Sequence, residues 1–183
     1  MDNGESSYRR FLAGDNDGLH DIICTYRSGL ILYLNSFVQD IHTAEELTED
    51  TFFEMMKKRP KFSGKSSFKT WLYAIGRNIT AKHLRKHKKF SVVPLESQEY
   101  LADLENIEGN YIKTEQKRTV HKAMQRLNPE YRQILYLSYF EGFTNPEAAV
   151  IMKKSNKQIK ALLYNAKKAL RSELERSGFE YEE

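Results

Sequence analysis

The chain lacks nearly everything that a disulfide-stapled, thiolate-metal or membrane-embedded protein needs. Its only cysteine is Cys24, so no intramolecular disulfide can form and no thiol metal site can be assembled. Cys24 sits in the helix-spaced apolar run Leu19 to Leu34, where we expect a buried structural thiol, with a redox sensor as the outside alternative. No apolar run approaches the eighteen or so residues of a membrane span. The opening Met-Asp-Asn-Gly-Glu-Ser is not the charged and apolar front of a signal peptide. We therefore expect a cytoplasmic globular protein with no membrane insertion.

Also scarce is mixed charge. The net charge of +4 is mild, but residues 28 to 56 carry Asp40, Glu45, Glu46, Glu49, Asp50 and Glu54 without one Lys or Arg. Residues 57 to 90 are rich in Lys and Arg and contain no acid. The sign reverses twice more: 91 to 112 is acidic without a base, and 148 to 171 is basic without an acid. Two basic segments separated by acidic ones imply two polyanion contacts and at least one different partner.

Sustained alternation is absent too, whereas helical spacing is everywhere, as in Leu19, Ile22, Ile23, Tyr26, Leu30, Tyr33, Leu34 and Phe37. The fold should be all-α. Thr43-Ala-Glu-Glu46, Thr144-Asn-Pro-Glu147 and Ser155-Asn-Lys-Gln158 read as capping boxes, and Asn128-Pro129 as a cap followed by a first-turn proline. Stops fall at Arg59-Pro60, Glu141-Gly142 and Ser177-Gly178. The spacing predicts helices near 5 to 13, 16 to 38, 44 to 58, 67 to 88, 114 to 126, 129 to 141, 145 to 153 and 156 to 177. The weakly patterned acidic stretch FSVVPLESQEYLADLENIEGN lies between the fourth and fifth and reads as a flexible linker. The expected organisation is two small helical domains, 1–90 and 113–183, joined by the linker 91–112.

In the second half a short helix, a brief turn at Lys153-Lys154 and a basic helix from Ser155 follow the helix-turn-helix plan. Lys153-Lys154 stands where a glycine is common. Ile159, Leu162, Leu163 and Ala166 form the inner stripe, which leaves Lys157, Gln158, Lys160, Ala161, Tyr164 and Lys168 outward. Gln can pair bidentately with adenine, and Lys can reach guanine or a phosphate. The plainer alternative is an amphipathic helix with a solvated lysine face, but no glutamate relieves that face before Glu173.

The acid-free segment KSSFKTWLYAIGRNITAKHLRKHKK poses a question: why does a cationic helix carry Phe68, Trp71 and Tyr73? Unstacked bases stack on rings while Lys and Arg follow phosphates. The loop Phe62-Ser63-Gly64-Lys65-Ser66-Ser67-Phe68 could hold a flipped-out base, with Phe62, Phe68 and Tyr73 as stacking candidates. Trp71 shares helical spacing with Leu72, Ile75 and Ile79, which suits core packing. His83 and His87 have metal-ligand spacing but no third ligand, and serve better as extra positive charge. Acids stand apart from the basic surface, so we expect no catalysis, no cofactor and no metal.

AEELTEDTFFEMM from Ala44, then FSGKSSFKTWLYAIGRNITAKHLRK, then LNPEYRQILYLSYFEGFTNPEAAVIM and its basic helix resemble the extracytoplasmic-function class of bacterial sigma factors, over nearly the whole chain. The resemblance implies a protein that binds core RNA polymerase and directs promoter-specific initiation. It implies docking on the polymerase clamp helices through Glu45, Glu46, Glu49, Asp50 and Phe53. It assigns minus-ten recognition and melting to the 62 to 68 loop and to Asn78, and we expect Arg77, Lys82, Arg85 and Lys86 of the basic helix to hold the phosphates. The minus-thirty-five duplex falls to Ser155, Lys157, Gln158, Lys160, Ala161, Tyr164 and Lys168, while the same domain touches the polymerase flap. An anti-sigma protein is a further partner the resemblance implies. Glu49 stands where glutamine is usual, Lys65 where an acid is frequent, and Leu162 and Asn165 where arginines are frequent. The last three bear on which promoter is read.

The linker length fits this reading. Two major-groove sites two turns apart lie roughly 70 Å from one another, and about 22 extended residues at roughly 3.3 Å each span a similar distance. Two rival readings remain: a free-standing helix-turn-helix regulator that needs no polymerase, and a protein-binding adaptor with little salt-sensitive DNA affinity.

Overall fold

In the computed structural model, residues 4–58, 62–87 and 115–178 are described. The helices are α1 (Glu5–Leu12), α2 (Asn16–Val38), α3 (Ile41–Lys58), α4 (Phe68–His87), α5 (Glu115–Gln125), α6 (Pro129–Leu135), α7 (Asn145–Met152) and α8 (Asn156–Arg176). α6 runs on into a π-helical turn, Tyr136–Phe140. No strand occurs among the described residues. The linker 91–112 and the stop at Arg59-Pro60 lie outside them.

Local chemistry explains most boundaries. Asp15 caps α2 by accepting from Asp17 N–H, and Asn128 caps α6 by accepting from Tyr131 N–H, with Pro129 following. Both Thr144 with Glu147 and Ser155 with Gln158 form reciprocal capping boxes. The third expected box, at Thr43, does not start its helix. Asp40 Oδ1 accepts from Thr43 N–H at 2.7 Å, so α3 begins three residues earlier at Ile41. Asp is as good a cap as Thr, and its position ahead of Ile41 also lets that side chain be buried. Lys153 closes α7 with φ 53°, so a lysine takes the left-handed position that glycine commonly holds in such turns.

α2 is the axis of the molecule. Leu30, Ile31, Leu32, Tyr33, Leu34, Asn35, Ser36 and Phe37 are all buried, so the helix is covered on every side over two turns. α1, α3 and α4 cover one side, and α6 with the π-helical turn covers the other. One hydrophobic cluster therefore runs from Tyr8 and Phe68 through Leu30 and Leu34 to Leu137, Met152 and Ile159. The two helical halves pack against each other: Gln39 Nε2 donates to Gln125 O at 3.0 Å, and the buried Arg132 donates from Nε to Ser36 O at 2.8 Å.

Candidate nucleic-acid and protein interfaces

The rings of the basic segment belong to the core. Phe68 and Tyr73 are completely buried. Phe68 meets Tyr8 at 5.3 Å, Tyr26 at 5.9 Å, Phe62 at 5.9 Å and Trp71 at 5.6 Å between centroids. Tyr73 meets Tyr33 and Phe143. The expectation that Phe68 and Tyr73 stack on bases is thus corrected: α4 packs both on the bundle interior, and stacking on either would open the core. Trp71 is half-buried and packs on Tyr8 and Phe62, in keeping with its core spacing.

In the loop, Ser63, Gly64 and Lys65 are exposed, and Phe62, Ser66 and Ser67 are half-buried. Gly64 has φ 69°, a conformation that favours glycine. Ser67 is spent on starting α4: its Oγ accepts from Thr70 N–H and its carbonyl from Trp71 N–H. On α4, Asn78, Lys82, Arg85, Lys86 and His87 are exposed. Arg77 shares the inward edge of the helix with Tyr73 and Gly76, is half-buried, and keeps its Nε buried without a hydrogen-bond partner. It faces Tyr33, whose hydroxyl burial pushes far up in pKa against the opposing charge of Arg77. The phosphate role expected for Arg77 is therefore reduced to whatever its terminal nitrogens can reach.

His83 and His87 stack at 4.3 Å. Burial, followed by the charge of His87, lowers the pKa of His83, opposed by Glu46 and Asp50 of α3. Among the described residues no three His, Cys, Asp or Glu side chains form a group that could hold a metal. On α3, Glu46, Glu49, Asp50 and Phe53 share one exposed face at helical spacing, with Phe53 56% exposed beneath the Lys57 ammonium. Glu45 is half-buried and ion-paired to Arg27 at 3.3 Å, so it stands at the edge of that face.

On α8, Ile159 and Ala166 are buried while Ser155, Lys157, Gln158, Lys160, Ala161, Tyr164 and Lys168 are exposed, as the spacing predicts. One role changes. Gln158 Oε1 accepts from Ser155 N–H at 2.7 Å in the capping box, so a bidentate adenine pair would have to share that oxygen with the cap or release it. Its amide nitrogen remains free to point outward. Cys24 is exposed rather than buried, with Sγ 3.5 Å from His20 Nε2, because it falls on the side of α2 opposite Ile22 and Tyr26.

Sequence reasoning missed one cluster. Glu141, just after the π-helical turn, reaches across to α4: Tyr73 Oη donates to its Oε2 at 2.7 Å, and Lys69 Nζ lies 2.8 Å from the same carboxylate oxygen. Lys69 also donates to Glu141 O at 2.8 Å and lies over the Phe143 ring. Burial, then the charge of Glu141, raises the pKa of Tyr73. Beside it, Glu147 Oε1 is 3.3 Å from Thr70 Oγ1 and 3.4 Å from Ser67 Oγ. Burial works against the Glu147 charge, but hydrogen bonds from Thr144, Thr70 and Ser67 outweigh it and lower its pKa.

Comparison with known proteins matches this layout half by half. Residues 22–90 match the family described as Sigma-70 region 2, and residues 117–170 the family described as Sigma-70, region 4. The RNA polymerase sigma-H factor of Pseudomonas aeruginosa is 26% identical over 170 residues, covering 88% of this chain and 88% of that protein. The ECF RNA polymerase sigma factor SigM of Bacillus subtilis is 27% identical over 156 residues, covering 84% and 93%. Among solved structures, CnrH in complex with the cytosolic domain of CnrY aligns with a TM-score of 0.67 at 17% identity, over 96% of this chain and 99% of that one. The sigma factor RpoE in complex with the anti-sigma factor NepR from Bartonella quintana aligns with a TM-score of 0.64 at 22% identity, over 87% and 98%. These two structures share the fold.

Proposed function

The chain belongs to the sigma-70 family, in its extracytoplasmic-function class, and from that premise we propose how its surfaces divide the work of initiation. The protein binds core RNA polymerase and directs promoter-specific transcription initiation. The exposed face Glu46, Glu49, Asp50 and Phe53 of α3 docks on the clamp helices, with Glu45 at its edge. The loop tip Ser63-Gly64-Lys65, with Phe62 and Ser66 behind it and Ser67 and Phe68 as its structural root, receives the melted minus-ten strand. Asn78, Lys82, Arg85 and Lys86 follow its phosphates, Arg77 only in part. The α8 face Lys157, Lys160, Ala161, Tyr164 and Lys168, with the Gln158 amide and the Ser155 cap, reads the minus-thirty-five duplex, and the same half touches the flap. Residues 1–90 and 113–183 form the two functional units and 91–112 their tether.

One observation carries this reading: an exposed acidic and aromatic stripe on α3 lies beside the cationic face of α4, the two helices being packed together. A regulator that bound only DNA would repel phosphate with that stripe, whereas a sigma factor uses it on a protein while the neighbouring face holds DNA. The two structural neighbours are complexes, CnrH with the cytosolic domain of CnrY and RpoE with the anti-sigma factor NepR, which supports an anti-sigma protein as a further partner here. Sigma factors in general are not enzymes, and this chain positions DNA rather than transforming it. Among the described residues no helix is long and apolar enough to cross a membrane, and work on the polymerase places the protein in the cytoplasm.

The test is binding of labelled chain to sigma-free core polymerase, with Glu46→Lys/Asp50→Lys and Phe53→Ala alongside. We expect tight binding by the unaltered chain and its loss in the charge-reversed variant, since like charges at a contact cost several kcal/mol. Equal binding by all three would remove α3 from the interface.

A further inference from the structure

We infer that Lys65 makes the strand-receiving loop a reader of keto bases, so that the base extruded into it is guanine or thymine rather than adenine or cytosine; this deepens the minus-ten role proposed above and rests on it.

The hydrogen-bonding inventory of the loop is one-sided. Residues 62–70 contain no Asp, Glu, Asn or Gln. At the root the polar groups are committed: Ser67 Oγ accepts from Thr70 N–H, the Ser67 and Thr70 hydroxyls lie 3.4 Å and 3.3 Å from Glu147 Oε1, and Lys69 is paired with Glu141. At the tip, Lys65 is exposed and forms no ion pair among the described residues. Ser63 and Ser66 add hydroxyls, which donate or accept as the partner requires. Lys65 is thus the tip side chain with a fixed sign, since an ammonium has three donors and no acceptor.

A stacking surface and a cation coincide at this tip. Phe62 and Trp71 are half-buried with their rings 5.6 Å apart, so they leave partly open ring surface at the foot of the loop. Beyond Tyr73, α4 carries no further Phe, Tyr or Trp, and its exposed Lys82, Arg85 and Lys86 begin about 21 Å from the helix start. Those cations suit phosphates, whereas Lys65 stands beside rings. The exposed amide of Asn78, which is able to accept, lies about 15 Å along the same helix.

Base edges differ in sign where such an ammonium meets them. Guanine O6 and N7 and thymine O4 accept, whereas adenine N6 and cytosine N4 are amino groups that donate. An ammonium set against an amino group leaves both donors unpaired. A Cβ added at Gly64 would meet nothing within 4 Å, so the tip has room for a purine. Guanine, with two adjacent acceptors, is the better of the two keto bases.

The test uses the holoenzyme, formed from the purified chain and sigma-free core polymerase, on a promoter that it selects from a genomic library. Each minus-ten position of the non-template strand, the one left free when the other is copied, is set to all four bases in turn. At one position guanine and thymine should exceed adenine and cytosine in open-complex formation by about fivefold, the low end for a specific base contact. Hypoxanthine, which keeps O6 and N7, should replace guanine there. Lys65→Glu should reverse the order at that position and leave the minus-thirty-five preferences as they were, while Lys65→Ala should flatten it. Both variants change an exposed side chain, so their thermal unfolding should match that of the unaltered chain. No keto preference at any position, a preference that survives in Lys65→Glu, or an equal loss for all four bases, the mark of a cation on a phosphate, would overturn the inference. Absence of transcription from every promoter would count instead against the sigma-factor reading, and binding of the free chain to single-stranded oligonucleotides with each base at each position would then decide the keto preference.

Discussion

At the scale of the residue, the chemistry that the sequence suggests is divided by burial. Phe68, a ring among lysines, suits base stacking by composition, yet it is fully buried at the centre of an aromatic cluster. Phe68→Ala should therefore lower stability by about 3–5 kcal/mol in chemical denaturation, whereas Lys65→Ala should leave stability unchanged and weaken strand capture. Gln158 shows the opposite case, an exposed reader partly consumed by its own helix. Gln158→Glu keeps an oxygen for Ser155 N–H but removes the amide donor. It should retain the melting temperature and lose affinity for the minus-thirty-five duplex in a binding titration, while Gln158→Ala should lose both. Lys160→Ala should change which base pairs are preferred, whereas Lys86→Ala should weaken all promoters alike. Equal effects from the last two would contradict the division between reading and holding.

His121 gives the residue scale a pH dependence. It is buried beside Tyr136 and Phe140, and desolvation pushes its pKa down to about 4. The unfolded chain regains the ordinary value near 6.5, so the neutral ring stabilises the fold fully above that pH. That contribution is lost as pH falls from about 6.5 towards 4, where the unfolded state takes up the proton and the folded state resists it. Urea titrations across this window should show stability dropping by a few kcal/mol, and His121→Phe should flatten the part of the slope that comes from this residue. A slope unaltered by the substitution would show that the acid sensitivity comes from other groups.

At the scale of the element, most helix positions were legible because their boundaries are written in local chemistry: Asn128-Pro129, Thr144 with Glu147 and Ser155 with Gln158 all cap where their side chains suggest. α3 starts early because Asp40 outcompetes Thr43, a choice between two good caps that sequence alone does not rank. The outer face of α8 and the acidic face of α3 were also legible, since amphipathic spacing directly assigns inside and outside. What spacing does not assign is a partner far along the chain. Arg77 and Cys24 were misjudged for that reason: their exposure depends on which sides of α4 and α2 the other helices cover. A signal for the missed surface did exist in Leu30-Ile31-Leu32-Tyr33-Leu34, a run apolar on all sides that asks for a second covering layer. Placing Asp at Leu32 should therefore disturb the packing of α6 on α2, seen as lost protection of the α6 amides, while α1, α3 and α4 stay folded.

At the scale of the whole molecule, the alternating charge along the chain becomes a separation of surfaces: an acidic and aromatic α3, a cationic outer end of α4, and a cationic α8. Two of these suit DNA and one suits protein, and the carboxylates Glu141 and Glu147 tie the two halves together in the free chain. Because binding through Lys and Arg releases counterions, affinity for promoter DNA should fall steeply with salt, with a slope reduced by about one for each phosphate-holding lysine removed. The most direct measurement mixes the purified chain with sigma-free bacterial core polymerase and a genomic fragment library, then sequences the 5′ ends of the transcripts. The account expects start sites that appear only when the chain is added and share two upstream elements about two helical turns apart. No transcripts and no polymerase binding, together with tight duplex binding by the chain alone, would contradict it.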